Sequence, residues 1–252
     1  MTTSIVLSYL LIIFGIAVWI LLLPGKKLLS DKATTYISVF GGAFLFASCF
    51  INLVPHIYLE GFVTPRLHIK TGAAVLAGFL IQLLLEHVTN GVEHGHNHCH
   101  ECAEHSHTTH PVTGLLIGLC IHSFIEGMPL VDPDGDIHQG LLYGIVFHNI
   151  PITLVLLGLF INNRYSFVRS LWLLLIFAVM TPLGSLCNLL FLPDDKVVQA
   201  MLMGVVTGIL LHVSVSILFD HDHNRFSWFK LALVLLAFAA AYVTPGCPEI
   251  YP

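Results

Sequence analysis

Eight apolar runs of helical length, at about 4–23, 34–54, 71–88, 112–131, 140–161, 170–192, 197–219 and 228–244, fix the solvent this chain must fold in. A run of roughly 20 apolar residues crosses a hydrocarbon core of about 30 Å as a helix, with its backbone groups satisfied inside the segment. The runs are continuous and rich in Leu, Ile, Val and Phe, unlike the short alternating segments of a membrane barrel. The chain therefore reads as an all-α polytopic membrane protein with eight transmembrane helices, a single transmembrane domain over residues 1–252. With 56% of residues hydrophobic and 10% charged, there is too little charge for the wet surface of a soluble domain. Ser4 to Leu23 has no small-residue cleavage site after it and reads as a span, not a removed signal.

Loop charges set the expected orientation. With both termini outside the cytosol, the inner loops hold Lys26, Lys27, Lys32, Arg164, Arg169, Arg225 and Lys230, and the outer loops Arg66, Lys70 and Lys196. The same scatter leaves no basic patch for nucleic acid. Cys49, Cys120 and Cys187 fall inside spans, which is no secreted disulfide framework. Gly41 to Ser48 of the second span faintly resembles Gly204 to Leu211 of the seventh, which suits a 3+2+3 inverted repeat around the fourth and fifth spans.

Those two central spans carry His122, Ser123 and Glu126 on one and His148, Asn149 and Pro151 on the other. An ionisable group in a span costs about 2.5–3.5 kcal/mol on insertion scales, so it tends to face a cavity, a partner or an ion. His122 and Glu126 are four apart and share a helix face. His122 lies about 13 Å and His148 about 12 Å from the outer ends of their spans, at 1.5 Å per residue, so the imidazoles share a depth. Imidazole and carboxylate together suit Zn²⁺ and other first-row divalent ions. The expected site is His122, Glu126 and His148, completed by Ser123, Asn149 or water. Pro151 denies the Phe147 carbonyl its usual donor and is expected to open room beside His148, and Pro182 does the same to Ala178.

The one long connection, about 89–111, packs His94, His96, His98, Cys99, His100, Cys102, His105, His107 and His110 together with Glu101 and Glu104. This composition binds zinc or copper and is too polar to fold alone. The assumed orientation puts it in the cytosol. His212, followed by Asp220, His221, Asp222 and His223, offers a possible exit relay or simply a wet helix end. Asp132-Pro133-Asp134-Gly135-Asp136 lacks the distal glutamate of a calcium loop and reads as a turn that attracts cations.

His122-Ser123-Phe124-Ile125-Glu126-Gly127 and His148-Asn149-Ile150-Pro151-Ile152, with eight spans and a histidine-rich loop between the third and fourth, resemble the ZIP (Zrt/Irt-like) family of divalent-metal transporters over the whole chain. The resemblance implies uptake of zinc or a related divalent metal into the cytosol, a metal site between the fourth and fifth helices, a 3+2+3 arrangement and homodimers. The chain departs from the family pattern at Ile152, where an acidic residue or histidine is usual. It departs again at Asn52, where many relatives have histidine, and at Thr181, where some have glutamate. A two-metal centre is not expected. A divalent ion held by two neutral imidazoles and one carboxylate keeps a formal charge of +1, so a single, weak site is expected.

Two other functions compete. A membrane-embedded zinc hydrolase would need a third firm ligand, an open position and a general base, and only one carboxylate lies deep in these spans. Efflux of the cation-diffusion type also uses histidine-rich loops, but with about six spans. The compact loops point to a bacterial cytoplasmic membrane, with the lipid bilayer and Zn²⁺ or a related ion, as transported substrate, as the partners.

Overall fold

A computed structural model describes residues 31–63, 67–88, 110–220 and 227–244. Among them, α1 (Asp31–Ser48) passes through a π turn (Cys49–Leu53) into α2 (Val54–Val63). Then come α3 (Leu67–Val88), α4 (His110–Gly127), α5 (Gln139–Asn162), α6 (Phe167–Phe191), α7 (Lys196–Asp220) and α8 (Trp228–Val243). Among the described residues, six stretches are long and apolar enough to cross a membrane: α1 with the start of α2, then α3, α4, α5, α6 and α7; α8 is apolar but shorter. Helices thus occupy seven of the eight expected runs. The first run, 4–23, and the loop 89–109 lie outside the described residues.

The π turn has a local cause. Pro55 has no N–H, and its ring in a regular helix would press on the carbonyl four residues back, that of Ile51. The chain widens there instead, and the Val54 N–H donates to the carbonyl of Cys49, five residues back. Such single wide turns occur inside helices, often at functional sites.

α1 and α5 run antiparallel. Asn52 meets Gly140, Leu45 meets Gly144, and Gly41 meets Phe147 and Pro151. The α5–α6 turn is tight: Arg164 takes a positive φ of 57°, and the Ser166 side chain caps α6 by accepting the Arg169 N–H. A second short turn precedes α7, where Asp195 Oδ1 accepts the Val197 N–H at 2.7 Å. Two reversals set α7 parallel to α5 and antiparallel to α1, and the three bury a common core that includes Leu45, Cys49, Ile145, Met203 and Leu210.

Close backbone approach locks two further pairs. A Cβ on Gly78 of α3 would run into the Val205 carbonyl of α7, and one on Gly208 of α7 into the Val75 carbonyl of α3. A Cβ on Gly127 of α4 would strike the Thr181 carbonyl of α6, and one on Gly184 of α6 the Phe124 carbonyl of α4. Small residues that let backbones touch are what holds helices together in lipid, where burying apolar area drives little. The second contact lies one residue from Glu126, so it fixes the helix that carries the carboxylate.

Candidate metal centre

α4 and α5 are joined by a short structured link, so their polar positions face each other at one depth. Met128–Leu130 forms a single 3-10 turn, and Val131 then pairs with Ile137 in an isolated antiparallel bridge. Gly135, at a φ of 86°, turns the chain between them. α5 then returns past α4, and the rings of His122 and His148 meet edge to face with centroids 5.7 Å apart. His122 Nε2 lies 3.6 Å from Glu126 Oε2. All three side chains are almost fully buried.

Among the described residues, His122, Glu126 and His148 form the one group of three histidine, cysteine or acidic side chains whose ligand atoms all lie within 4.8 Å of one another. Neither carboxylate oxygen of Glu126, nor His122 Nε2, has a hydrogen-bond partner. A buried carboxylate without a donor is costly, and a cation between these atoms would relieve that cost. The flanking polar groups share the condition: Ser123 Oγ and Asn149 Oδ1 are buried without partners, as is Thr181 Oγ1. The expected auxiliary oxygens are therefore present and uncommitted.

One contact was not foreseen. His122 Nδ1 donates to Gln82 Oε1 of α3 at 3.0 Å, with both side chains buried. An amide oxygen only accepts, so Nδ1 carries the proton and the Nε2 lone pair turns toward Glu126. This is the outer-shell arrangement that orients metal-binding imidazoles. Gln82 is a lone amide in the apolar run at 71–88, the kind of signal that singled out His122, but nothing local ties it to a residue 40 positions away.

Pro151 does interrupt the ladder inside α5, but on that side the room is filled. A Cβ on Gly41 would lie 3.3 Å from Pro151 Cγ and 3.4 Å from the Phe147 oxygen, and Phe147 packs on Phe44 at 4.5 Å between centroids. Ile152, four residues after His148, packs on an apolar cluster with Leu115, Leu156 and Phe177. No acidic side chain stands at that position.

The relay residues divide. His212 is buried and lies 3.7 Å from Glu86 Oε2, with Phe79 edge-on to its ring at 4.7 Å. Asp220 ends α7, and His221, Asp222 and His223 lie outside the described residues. His110 opens α4, while His94, His96, His98, Cys99, His100, Cys102, His105 and His107 also lie outside them. Glu86, like Gln82, was not anticipated; it follows Gln82 by one turn of α3.

The family model for ZIP zinc transporters matches residues 103–243, more than half of the chain and all three converging residues. The chain belongs to the ZIP zinc transporter family. No curated protein sequence matches it. ZIP proteins transport divalent metal ions and are not enzymes, which removes the hydrolase reading. The chain is accordingly a multi-pass membrane protein whose described residues are helical apart from turns and one isolated bridge.

Proposed function

We propose that this ZIP protein takes up zinc, or a closely related divalent ion, into the cytosol through a single site formed by His122, Glu126 and His148 between α4 and α5. The observation that carries the reading is the convergence of three buried ligand atoms around a carboxylate that nothing else satisfies. Ser123, Asn149 and water complete the shell. One carboxylate against a divalent charge leaves +1 in a low-dielectric site, so the ion is held weakly enough to leave. The Ile152, Asn52 and Thr181 side chains offer no second anionic ligand, so the site takes one ion.

The inward route follows α3. Gln82 touches His122, and Glu86, one turn or about 6 Å further along, faces His212. A second imidazole–carboxylate pair there gives the ion a stepping place before the histidine-rich loop at 89–111, which we place in the cytosol with both termini outside. The positive-inside count supports that orientation. The whole chain acts as one transmembrane domain of eight spans in a 3+2+3 inverted repeat. The antiparallel packing of α1 on α7, the two spans with internal similarity, supports it, since an axis in the membrane plane relates antiparallel equivalents. We place it in a cytoplasmic membrane as a homodimer.

The test is uptake of radioactive zinc into proteoliposomes. Glu126→Ala protein, inserted and folded as the parent, is expected to show none. Uptake at the parental rate would refute the assignment of the site.

A further inference from the structure

We propose that the outer face carries a second metal station, built from His56, His138 and Asp132, which captures the ion before it reaches the buried trio. The proposal rests on the reading of the chain as a metal transporter. His138 Nε2 lies 2.9 Å from Asp132 Oδ1, and the His56 ring of α2 stands edge-on to the His138 ring, with centroids 4.7 Å apart at 86°. Three metal-binding side chains from two separate elements thus meet at one end of the helices.

Their placement is set by backbone. Asp132 and His138 flank the bridged pair Val131 and Ile137. The Asp132 N–H donates to the Asp136 carbonyl at 2.9 Å, the Gly135 N–H to the Asp132 carbonyl at 2.7 Å, and the His138 N–H to the Leu130 carbonyl at 3.1 Å. A pinned hairpin needs little further ordering to hold an ion. The bond between His138 and Asp132 by itself would be a turn closure. It does not account for His56, whose ring lies against this pair and whose Nδ1 is buried with no hydrogen-bond partner.

The donors match those of the inner trio, two imidazoles and one carboxylate, so the same ions suit both. The outer group is looser and wetter: Asp132 is 33% exposed, and its ligand atoms are not among those that converge within 4.8 Å. Weak, rapidly exchanging capture suits an entry station. Asp134 and Asp136, exposed on the same turn, add a negative field that concentrates cations at the mouth.

A polar track leads inward. Asn52 precedes His56 by four residues and Ser48 precedes Asn52 by four; both are buried, and Asn52 Nδ2 and Ser48 Oγ have no partner. Asn52 lies against Gly140, where a Cβ would come within 2.7 Å of the Asn52 Cβ. Along α5, His138 stands ten residues before His148, roughly 15 Å at helical rise, which makes the two stations distinct.

Histidine footprinting with diethyl pyrocarbonate, read peptide by peptide by mass spectrometry on the full chain with and without Zn²⁺, tests this without transport and separates His56 and His138 from the loop histidines. Zn²⁺ is expected to slow labelling of both, in the parent and equally in Glu126→Ala. His56→Ala is expected to raise the KM for zinc uptake several-fold with little change in maximal rate. Labelling of His56 and His138 that ignores Zn²⁺ would overturn the proposal while leaving the inner site standing. Protection lost in Glu126→Ala would overturn it too, since it would then report the inner trio. Parental protein that moves no metal would defeat the transport reading, whatever the footprint.

Discussion

Gln82→Leu is the substitution that most directly separates an oriented metal site from a chance meeting of buried histidines. The change removes the acceptor of the 3.0 Å bond to His122 Nδ1 and keeps a side chain of similar bulk in the same buried place. His122 then has two options. It keeps its tautomer and leaves a buried N–H unsatisfied, at about 1–3 kcal/mol. Otherwise it shifts the proton to Nε2, which blocks the atom facing Glu126. Loss of an outer-shell partner of this kind typically weakens metal affinity about 10–100-fold, equivalent to roughly 1.4–2.7 kcal/mol, so the two estimates agree. Zinc uptake by proteoliposomes across a concentration series should show KM raised by that factor. Gln82→Glu keeps an acceptor at Nδ1 and is expected to restore low KM. A parental KM in Gln82→Leu would refute the orienting role; so would equal impairment of the leucine and glutamate variants, which would mean that an acceptor oxygen at this place is not what His122 needs.

Ile152→Glu places a carboxylate one turn from His148 and brings the loaded site to neutrality; zinc binding measured by calorimetry should tighten, and uptake at saturating zinc should slow as release becomes limiting. Removing residues 94–109 should leave uptake intact and change its rate or its response to zinc load, because the ligands in the membrane remain; complete loss in an inserted, folded variant would contradict the loop's accessory role. Gly127→Ala pushes a methyl into the Thr181 carbonyl and should destabilise the α4–α6 pair by about 1–3 kcal/mol, seen as a lower midpoint in thermal unfolding in detergent.

The seven apolar runs that the described helices fill and the inner trio were legible for one reason: each is written in local sequence. Apolar length gives a span, the spacing of His122 and Glu126 gives a face, and a short link between spans makes His148 share their depth. What was not legible is pairing between distant spans. Nothing near Gln82 points to His122, nothing near Glu86 points to His212, and nothing near His56 points to His138. Each was nonetheless a polar residue in or beside an apolar run, and lipid permits few of those without a task. The π turn was equally available in principle, since Pro55 four residues after Ile51 demands some local adjustment. Pro151 misled in part: proline frees a carbonyl, but the sequence does not say that Gly41 of another helix covers it.

The charge of the cargo ties these features together. Glu126 is the one carboxylate of the inner trio, and its orienting neighbour on α3 is a neutral amide, where glutamate would have supplied the second negative charge. Gln82 aligns His122 without cancelling what remains of the ion's charge, and Ile152 and Thr181 leave that residue uncancelled from α5 and α6. On the proposed reading, a site left at +1 in a low-dielectric interior binds the ion less tightly than a neutral one, which eases its transfer to the imidazole–carboxylate pair of His212 and Glu86, one turn further along α3. A cargo that must be handed on gains from that balance. On that reading, the residues that leave one carboxylate where a two-carboxylate site would have two also make the step from the trio to the inner pair shallower.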